Sequence, residues 1–223
     1  MLQEQWTAVD RYLSEMLLPA DPALEAALAA SAAAGLPSMQ VSPIQGQLLH
    51  LLAKSINAKA ILEIGALGGY STIWLARALP PSGRLLTLEV NPKHAQVAQS
   101  NLARAGVSNV ELILGPAMES LARLAAQQRG PFDLIFIDAD KPPAAEYFSW
   151  SLKLAHPGSL IIVDNVIQHG SVIDAASSNA SVQGIRRFNE LLSSQKRVIA
   201  TTLQTVGSKG YDGLTIALVT GET

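Results

Sequence analysis

From residue 59 onward, short apolar runs of strand length alternate with segments of helical periodicity, and this alternation leaves few folds open to the chain. Strand readings fall at 59–64, 84–89, 109–114, 132–138 and 159–164, with helix readings at 71–79, 92–105, 117–128 and 143–155. Runs such as Leu134-Ile135-Phe136-Ile137 and Leu160-Ile161-Ile162-Val163 are apolar at every position rather than at every second one. Strands of that kind are buried on both faces, which predicts a parallel sheet with right-handed helical crossovers. The fold class is therefore α/β, a doubly wound and mostly parallel sheet. Ser42-Pro43 and Asn91-Pro92 each pair a capping side chain with proline at the first helical position, so helices are expected to start there. After Asn165 come a polar loop through Asn179, a helix near 182–194 and two last strands near 197–206 and 213–219. Residues 207–213 between those strands have the turn chemistry of a hairpin.

Ahead of the alternation, residues 3–18 and 21–34 read as helices split by Pro19 and Pro22, and a third runs from Ser42 to about Ile56. The expected organisation is one domain over 1–223, with a helical cap at 1–40 and an α/β core at 41–223; 223 residues suffice for a sizeable core. With a net charge of -2 and 15% charged residues there is no broad basic field, so nucleic acid is not an expected partner. Arg186-Arg187, the densest basic spot near the C-terminus, reads as a solvated helix face or a local salt bridge. The absence of cysteine excludes disulfides, thiolate metal sites and cysteine nucleophiles. Glu4 stands where a secretory leader carries basic residues, and no apolar run reaches the length of a membrane span, so a cytoplasmic protein without a membrane partner is expected.

Two of the strand readings end in side-chain oxygens, Asp138 and Asp140 after Phe136-Ile137, and Asp164-Asn165 after Val163. In an open parallel sheet ligands gather outside the carboxyl ends of strands, so Asp138, Asp164 and Asn165 are candidate ligands of one hard cation, with Mg²⁺ ahead of Mn²⁺ or Ca²⁺. Helix caps are the alternative use of the same residues, and Asp140 reads as a further ligand or as a cap. A third strand runs through Glu63 into Gly65-Ala66-Leu67-Gly68-Gly69-Tyr70-Ser71 and then a helix, which suits a nucleotide-type cofactor or, with no ligand, a tight turn. Leu67 occupies the second glycine position of the dinucleotide fingerprint, which disfavours NAD. Glu89 ends the next strand where an acid usually accepts from a ribose diol, its alternative being an exposed carboxylate ahead of the cap at Asn91. Asp138 and Glu63 add negative charge, which suits a cationic cofactor such as the sulfonium S-adenosylmethionine. Of the histidines, His50, His94 and His156 read as helix residues and His169 as a loop residue facing solvent or, alternatively, the acceptor. Trp6, Trp74 and Trp150 read as packing residues, Trp150 alternatively as a wall of the acceptor pocket.

The segments EIGALGGYS, LLTLEV, GPAMESL, FIDADK, VDN and KGYDGL, in this order between Met39 and Val219, resemble the cation-dependent class I O-methyltransferases of the caffeoyl-CoA and catechol type. The resemblance implies a seven-stranded sheet with its last strand antiparallel, S-adenosylmethionine as methyl donor and a homodimer. It implies Asp138, Asp164 and Asn165 as metal ligands and Glu89 on the ribose hydroxyls. Glu63, Gly65, Ser71 and Val41 would surround the methionine part with Asp138, Ala117 and Ala139 would lie beside the adenine, and Lys141 would be the general base. The family's Asn-Tyr pair after the lysine is replaced here by Pro142-Pro143-Ala144-Ala145-Glu146-Tyr147, in a segment that helps shape the acceptor pocket.

The chemistry agrees with that assignment. A phenol with a pKa near 10 is about one-thousandth ionised at neutral pH, so a methyltransferase must supply the anion. A cation held through both oxygens of a vicinal diol acidifies the hydroxyl and orients it. Lys141, three residues beyond Asp138, is placed to take the proton or, alternatively, to pair with Asp138 or Asp140. Catalysis is thus expected from Lys141 and Asp138, on a small aromatic diol. The rivals are an NAD-linked oxidoreductase and a non-catalytic module that binds S-adenosylmethionine.

Overall fold

The computed structural model describes residues 2–221; Met1, Glu222 and Thr223, the outer ends of the expected domain, lie outside the described residues. Three helices come first, α1 (Leu2–Leu17), α2 (Pro22–Ala33) and α3 (Pro43–Ser55). Then strands and helices alternate as β1 (Ala60–Ile64), α4 (Tyr70–Ala78), β2 (Arg84–Glu89), α5 (Pro92–Arg104), β3 (Val110–Leu114), α6 (Ala117–Ala126), β4 (Phe132–Ile137), α7 (Ala144–Lys153) and β5 (Ala155–Asp164). A 3₁₀ segment (Gln168–Ile173), α8 (Ala180–Ser194), β6 (Val198–Gly207) and β7 (Gly210–Val219) complete the chain. The seven strands form one sheet in the order β3-β2-β1-β4-β5-β7-β6, parallel from β3 to β5, with β7 antiparallel to both of its neighbours. This is the doubly wound, mostly parallel α/β sheet expected from the sequence, with its last strand antiparallel. Among the described residues no helix is long and apolar enough to cross a membrane.

Local signals account for the helix starts. The Ser42 hydroxyl accepts from the Gln45 N–H at 3.2 Å, Asn91 caps α5 through the Lys93 N–H, and Asp21 caps α2 through two N–H groups. The sheet separates two apolar layers. Leu62, Ile64, Ile135, Ile137, Ile161 and Val163 face α6, α7 and α8, where Phe148 and Phe188 meet edge to face at 5.3 Å. Ile61, Leu134, Phe136 and Ile162 face the other layer, against Leu49 of α3, Ile73 of α4 and Leu102 of α5. Each such fully buried side chain contributes about 1.5–3 kcal/mol relative to an exposed one. The edge strands depart from full burial: β3 is half-exposed and β6 exposed along almost its whole length.

Several expectations are corrected. β5 begins at Ala155, which pairs with Phe132 across a register shift, so the strand starts before residue 159 and His156 belongs to it rather than to a helix. Its Nε2 lies 2.8 Å from Asp133 Oδ1 and its Nδ1 2.7 Å from the Pro157 carbonyl, so both ring nitrogens meet acceptors. The Asp133 hydrogen bond raises the His156 pKa against a smaller opposing effect of burial. The last two strands are closed by Ser208-Lys209 alone, since Gly207 pairs with Gly210, whose φ of +96° the turn requires. The polar loop after Asn165 contains the 3₁₀ segment and ends at Asn179, the cap of α8.

Candidate active site

The strand register builds the site. Phe136 pairs with Ile162 and Ile137 with Val163, so the residues that follow, Asp138 and Asp164, lie side by side at the carboxyl ends of β4 and β5. Because side chains alternate, both continue the face of Phe136 and Ile162, the face covered by α3 and α4. Asp164 is only 5% exposed; its Oδ1 accepts from the Asn165 N–H at 2.8 Å and its Oδ2 from Gln45 Nε2 at 2.7 Å. Burial and then the charge of Asp138 push the Asp164 carboxyl up to about 7, against the opposing pull of Lys141, the Asn165 N–H and Gln45. Asn165 stands at φ +56°, and its carbonyl accepts from Gln168 Nε2 at 2.8 Å. Lys141 Nζ lies 3.3 Å from Asp138 Oδ1, the ion pair foreseen as the alternative to a free base.

Asp138, Asp164, Asn165 and Lys141 line one cavity of about 1490 Å³. Its donors are hard oxygens, two carboxylates and an amide, and among the described residues no group of three or more His, Cys, Asp or Glu side chains gathers that could hold a metal ion without the amide. Burial and then the Asp138 charge raise the Asp164 carboxyl, and the oxygen chemistry of Asp138, Asp164 and Asn165 is of the kind a hard dication takes. Asp140 lines the cavity but does not cap α7, whose cap is Pro143; its Oδ1 accepts from the Tyr147 hydroxyl at 2.7 Å.

The same cavity reaches the glycine loop. Gly65 has φ +101°, and a Cβ there would stand 2.1 Å from the Asp138 carbonyl oxygen, so the loop and the β4 tip touch through backbone alone. Leu67 is also left-handed, at φ +47°, and its N–H donates to Glu89 Oε2 at 2.8 Å. Glu89 Oε1 accepts from the Asn91 N–H at 2.9 Å, which orients the carboxylate on the cavity wall. Val41, Gly65, Ser71, Glu89, Ala117 and Ala139 all line the cavity, whereas Glu63 does not. Glu63 is fully buried and accepts from the hydroxyls of Ser71, Thr72 and Thr87; burial pushes it up to about 7 despite them. It reaches the cavity through Ser71.

Sequence reasoning missed the supports of the lysine segment. Arg187, on the exposed face as expected, also donates to the Pro142 carbonyl at 2.7 Å, and the half-buried Arg186 donates to the Val172 carbonyl at 2.7 Å, so this pair ties the lysine segment and the 3₁₀ segment to α8. Between them α8 packs directly on the lysine backbone: a Cβ on Gly184 would meet the Lys141 carbonyl oxygen at 2.1 Å and the Pro142 Cα at 2.6 Å. Gly184→Ala must displace the helix or the loop and is expected to cost about 2 kcal/mol, roughly 4–8 °C in Tm. An unchanged melting curve would show that the contact relaxes freely. Gln45 was missed as well; the cap at Ser42 signals its helix but not the face it presents. Trp150 does not line the cavity and packs under Lys153, whose Nζ sits 4.3 Å from its ring centre. His169 lines the mouth of the cavity with its ring largely exposed.

Comparison with known proteins adds a second line of observation. The model of the O-methyltransferase family matches residues 18–219. A catechol O-methyltransferase of Niastella koreensis is 53% identical over 220 residues, covering 98% of this chain and 100% of that protein. The crystal structure of an O-methyltransferase from Bacillus cereus in complex with SAH superposes with a TM-score of 0.96 at 54% identity, covering 97% of this chain and 99% of that one. The O-methyltransferase TomG from Streptomyces achromogenes, involved in tomaymycin synthesis and solved with SAM, gives a TM-score of 0.96 at 52% identity, covering 99% and 100%.

Proposed function

Since this chain belongs to the O-methyltransferase family and is an S-adenosylmethionine-dependent enzyme of that family, we propose that it methylates a hydroxyl of a small aromatic vicinal diol, a catechol or caffeoyl-type acceptor, with a divalent cation, Mg²⁺ first. One observation carries the reading: Asp138 and Asp164 share a face at adjacent strand tips, in the cavity that also holds the glycine loop and Glu89. Asp138, Asp164 and Asn165 would hold the cation, and Glu89, Gly65, Ser71, Val41, Ala117, Ala139 and Asp138 the donor, with Glu63 acting behind Ser71.

When bound, the cation supplies acidification and orientation of a diol oxygen, and the donor supplies a methyl carbon on a sulfonium whose C–S bond breaks as the O–C bond forms. The protein's own part is to hold and to accept. The Glu89 carboxylate, fixed by the Leu67 and Asn91 N–H groups, keeps lone pairs for a ribose diol. Asp138 holds Lys141 Nζ at the site, and that nitrogen takes the acceptor's hydroxyl proton when it carries none itself. Met39, Leu48 and Leu51 give the cavity apolar lining suited to an aromatic acceptor, and Pro142-Pro143, in place of the family's Asn-Tyr pair, line it as well.

A homodimer in the cytoplasm belongs to the same proposal. Val9, Tyr12, Met16 and Leu17 of α1 and Ile199, Leu203 and Val206 of β6 leave apolar surface exposed, which a second copy would cover. Labelled S-adenosylmethionine offered with catechol, a caffeoyl ester and a flavonoid diol is expected to methylate at least one of them, and EDTA to abolish the transfer. Turnover unchanged by EDTA would refute the cation, and turnover only on monophenols or non-aromatic hydroxyls would refute the acceptor class.

A further inference from the structure

Gln45 reaches the acid cluster from outside the sheet. Its backbone N–H donates to Ser42 Oγ at 3.2 Å, placing it in the first turn of α3, two residues after the Pro43 that opens the helix. From there Nε2 donates to Asp164 Oδ2 at 2.7 Å, a contact between residues 119 positions apart. The other carboxylate oxygen, Oδ1, accepts from the neighbouring Asn165 N–H at 2.8 Å. Both oxygens of a 5%-exposed carboxylate are therefore oriented, one by local backbone and one by this single side chain. Asp164 itself is a strand-end residue paired with Leu214 of β7, so its backbone is fixed while its side chain retains rotation about Cα–Cβ and Cβ–Cγ. The Asn165 N–H and Gln45 together restrict it, and Gln45 is the side-chain half of that restraint. The Gln45 amide nitrogen is the donor of this pair, and Gln45 itself lines the cavity.

We propose that Gln45 is a positioning residue for the ion site: its amide sets the orientation of the Asp164 carboxylate, and through α3 it joins that carboxylate to the Val41-Ser42 segment on the donor side of the cavity. The inference rests on Asp164 being a ligand of the proposed cation. Groups that orient a ligating carboxylate typically carry a 10- to 100-fold effect on metal affinity. Gln45 differs from the ligands in touching the ion only through Asp164, so its removal weakens binding without eliminating it.

The test uses the full-length protein and Mn²⁺ as the probe, with affinity read by electron paramagnetic resonance or calorimetry rather than by turnover. Gln45→Met keeps the length and the apolar stem of the side chain and removes the donor, while Gln45→Ala removes both. Both variants are expected to bind Mn²⁺ about 10- to 100-fold more weakly than the unaltered protein. S-adenosylhomocysteine affinity should stay within about threefold and the melting temperature of the metal-free protein close to its starting value, as required of a positioning rather than a packing role. Mn²⁺ affinity of Gln45→Met within twofold of the unaltered protein would overturn the inference and leave the proposed function standing. Equal losses of Mn²⁺ and S-adenosylhomocysteine affinity would overturn it as well, by making Gln45 a general support of the cavity. If the unaltered protein binds no Mn²⁺, the cation reading and the inference fall together.

Discussion

Asp164→Ala is expected to lower methyl transfer by roughly 10³-fold, the several kcal/mol that a correctly held cation contributes at about 1.4 kcal/mol per decade. S-adenosylhomocysteine affinity should change little, because the residues proposed to hold the donor, Glu89 on β2, Ser71 on α4 and Gly65 after β1, lie away from Asp164 in the chain. The split between turnover and donor binding is the informative readout. Removing the carboxylate takes an acid out of a crowded pair and frees Gln45, so the metal-free variant should fold and melt no lower than expected for a small cavity, about 1–2 kcal/mol. Single-turnover rates with saturating donor, with and without added Mg²⁺, decide the matter. A variant that keeps a tenth or more of the activity and still responds to Mg²⁺ would remove Asp164 from the ligand set.

The second large effect is on stability and centres on Glu63. Its carboxylate accepts from Ser71, Thr72 and Thr87, of which Thr72 and Thr87 are fully buried. Glu63→Ala strands those hydroxyls beside a cavity, an expected loss of about 3 kcal/mol or more. Glu63→Gln keeps the shape and separates packing from charge. In the folded protein burial raises the Glu63 carboxyl from 4.5 to about 7, so the fold prefers the protonated acid. Below pH 4.5 both states hold the proton and its contribution is fully present; as pH rises through about 7 the folded state loses it and stability falls. Wild type and Glu63→Gln should therefore be similar in stability near pH 4.5, with the variant ahead by up to about 3 kcal/mol at pH 8. Denaturant titrations at these two pH values check this, and parallel curves at both would exclude Glu63 as the titrating group.

Much of the fold was legible because its signals are local. The apolar runs of β1, β2, β4 and β5 and the proline-marked starts at Ser42 and Asn91 each depend on residues within a few positions of one another. Where a local signal misled, tertiary contact overrode it. His156 reads as a helix residue, yet it lies in β5, because Ala155 pairs with Phe132 and His156 is held by Asp133. Asp140 offers a ligand or a cap in sequence, and only the fold brings the Tyr147 hydroxyl against it. The glycine loop left a nicotinamide enzyme and a non-catalytic binder open as alternatives, and both give way to the O-methyltransferase family that the chain belongs to.

By itself the sequence determined that a buried parallel sheet would form, that acids would stand at the ends of two of its strands, and that a glycine turn and Glu89 would flank them. Side-chain periodicity and strand direction dictate those placements without reference to the rest of the chain. Tertiary structure alone decided which groups support the acids: Gln45 on Asp164 across 119 residues, Arg187 on the Pro142 carbonyl across 45, and Gly184 against Lys141. Such contacts depend on how a helix is rotated and seated on the sheet, which follows from packing over the whole molecule and leaves no periodic trace in the residues themselves.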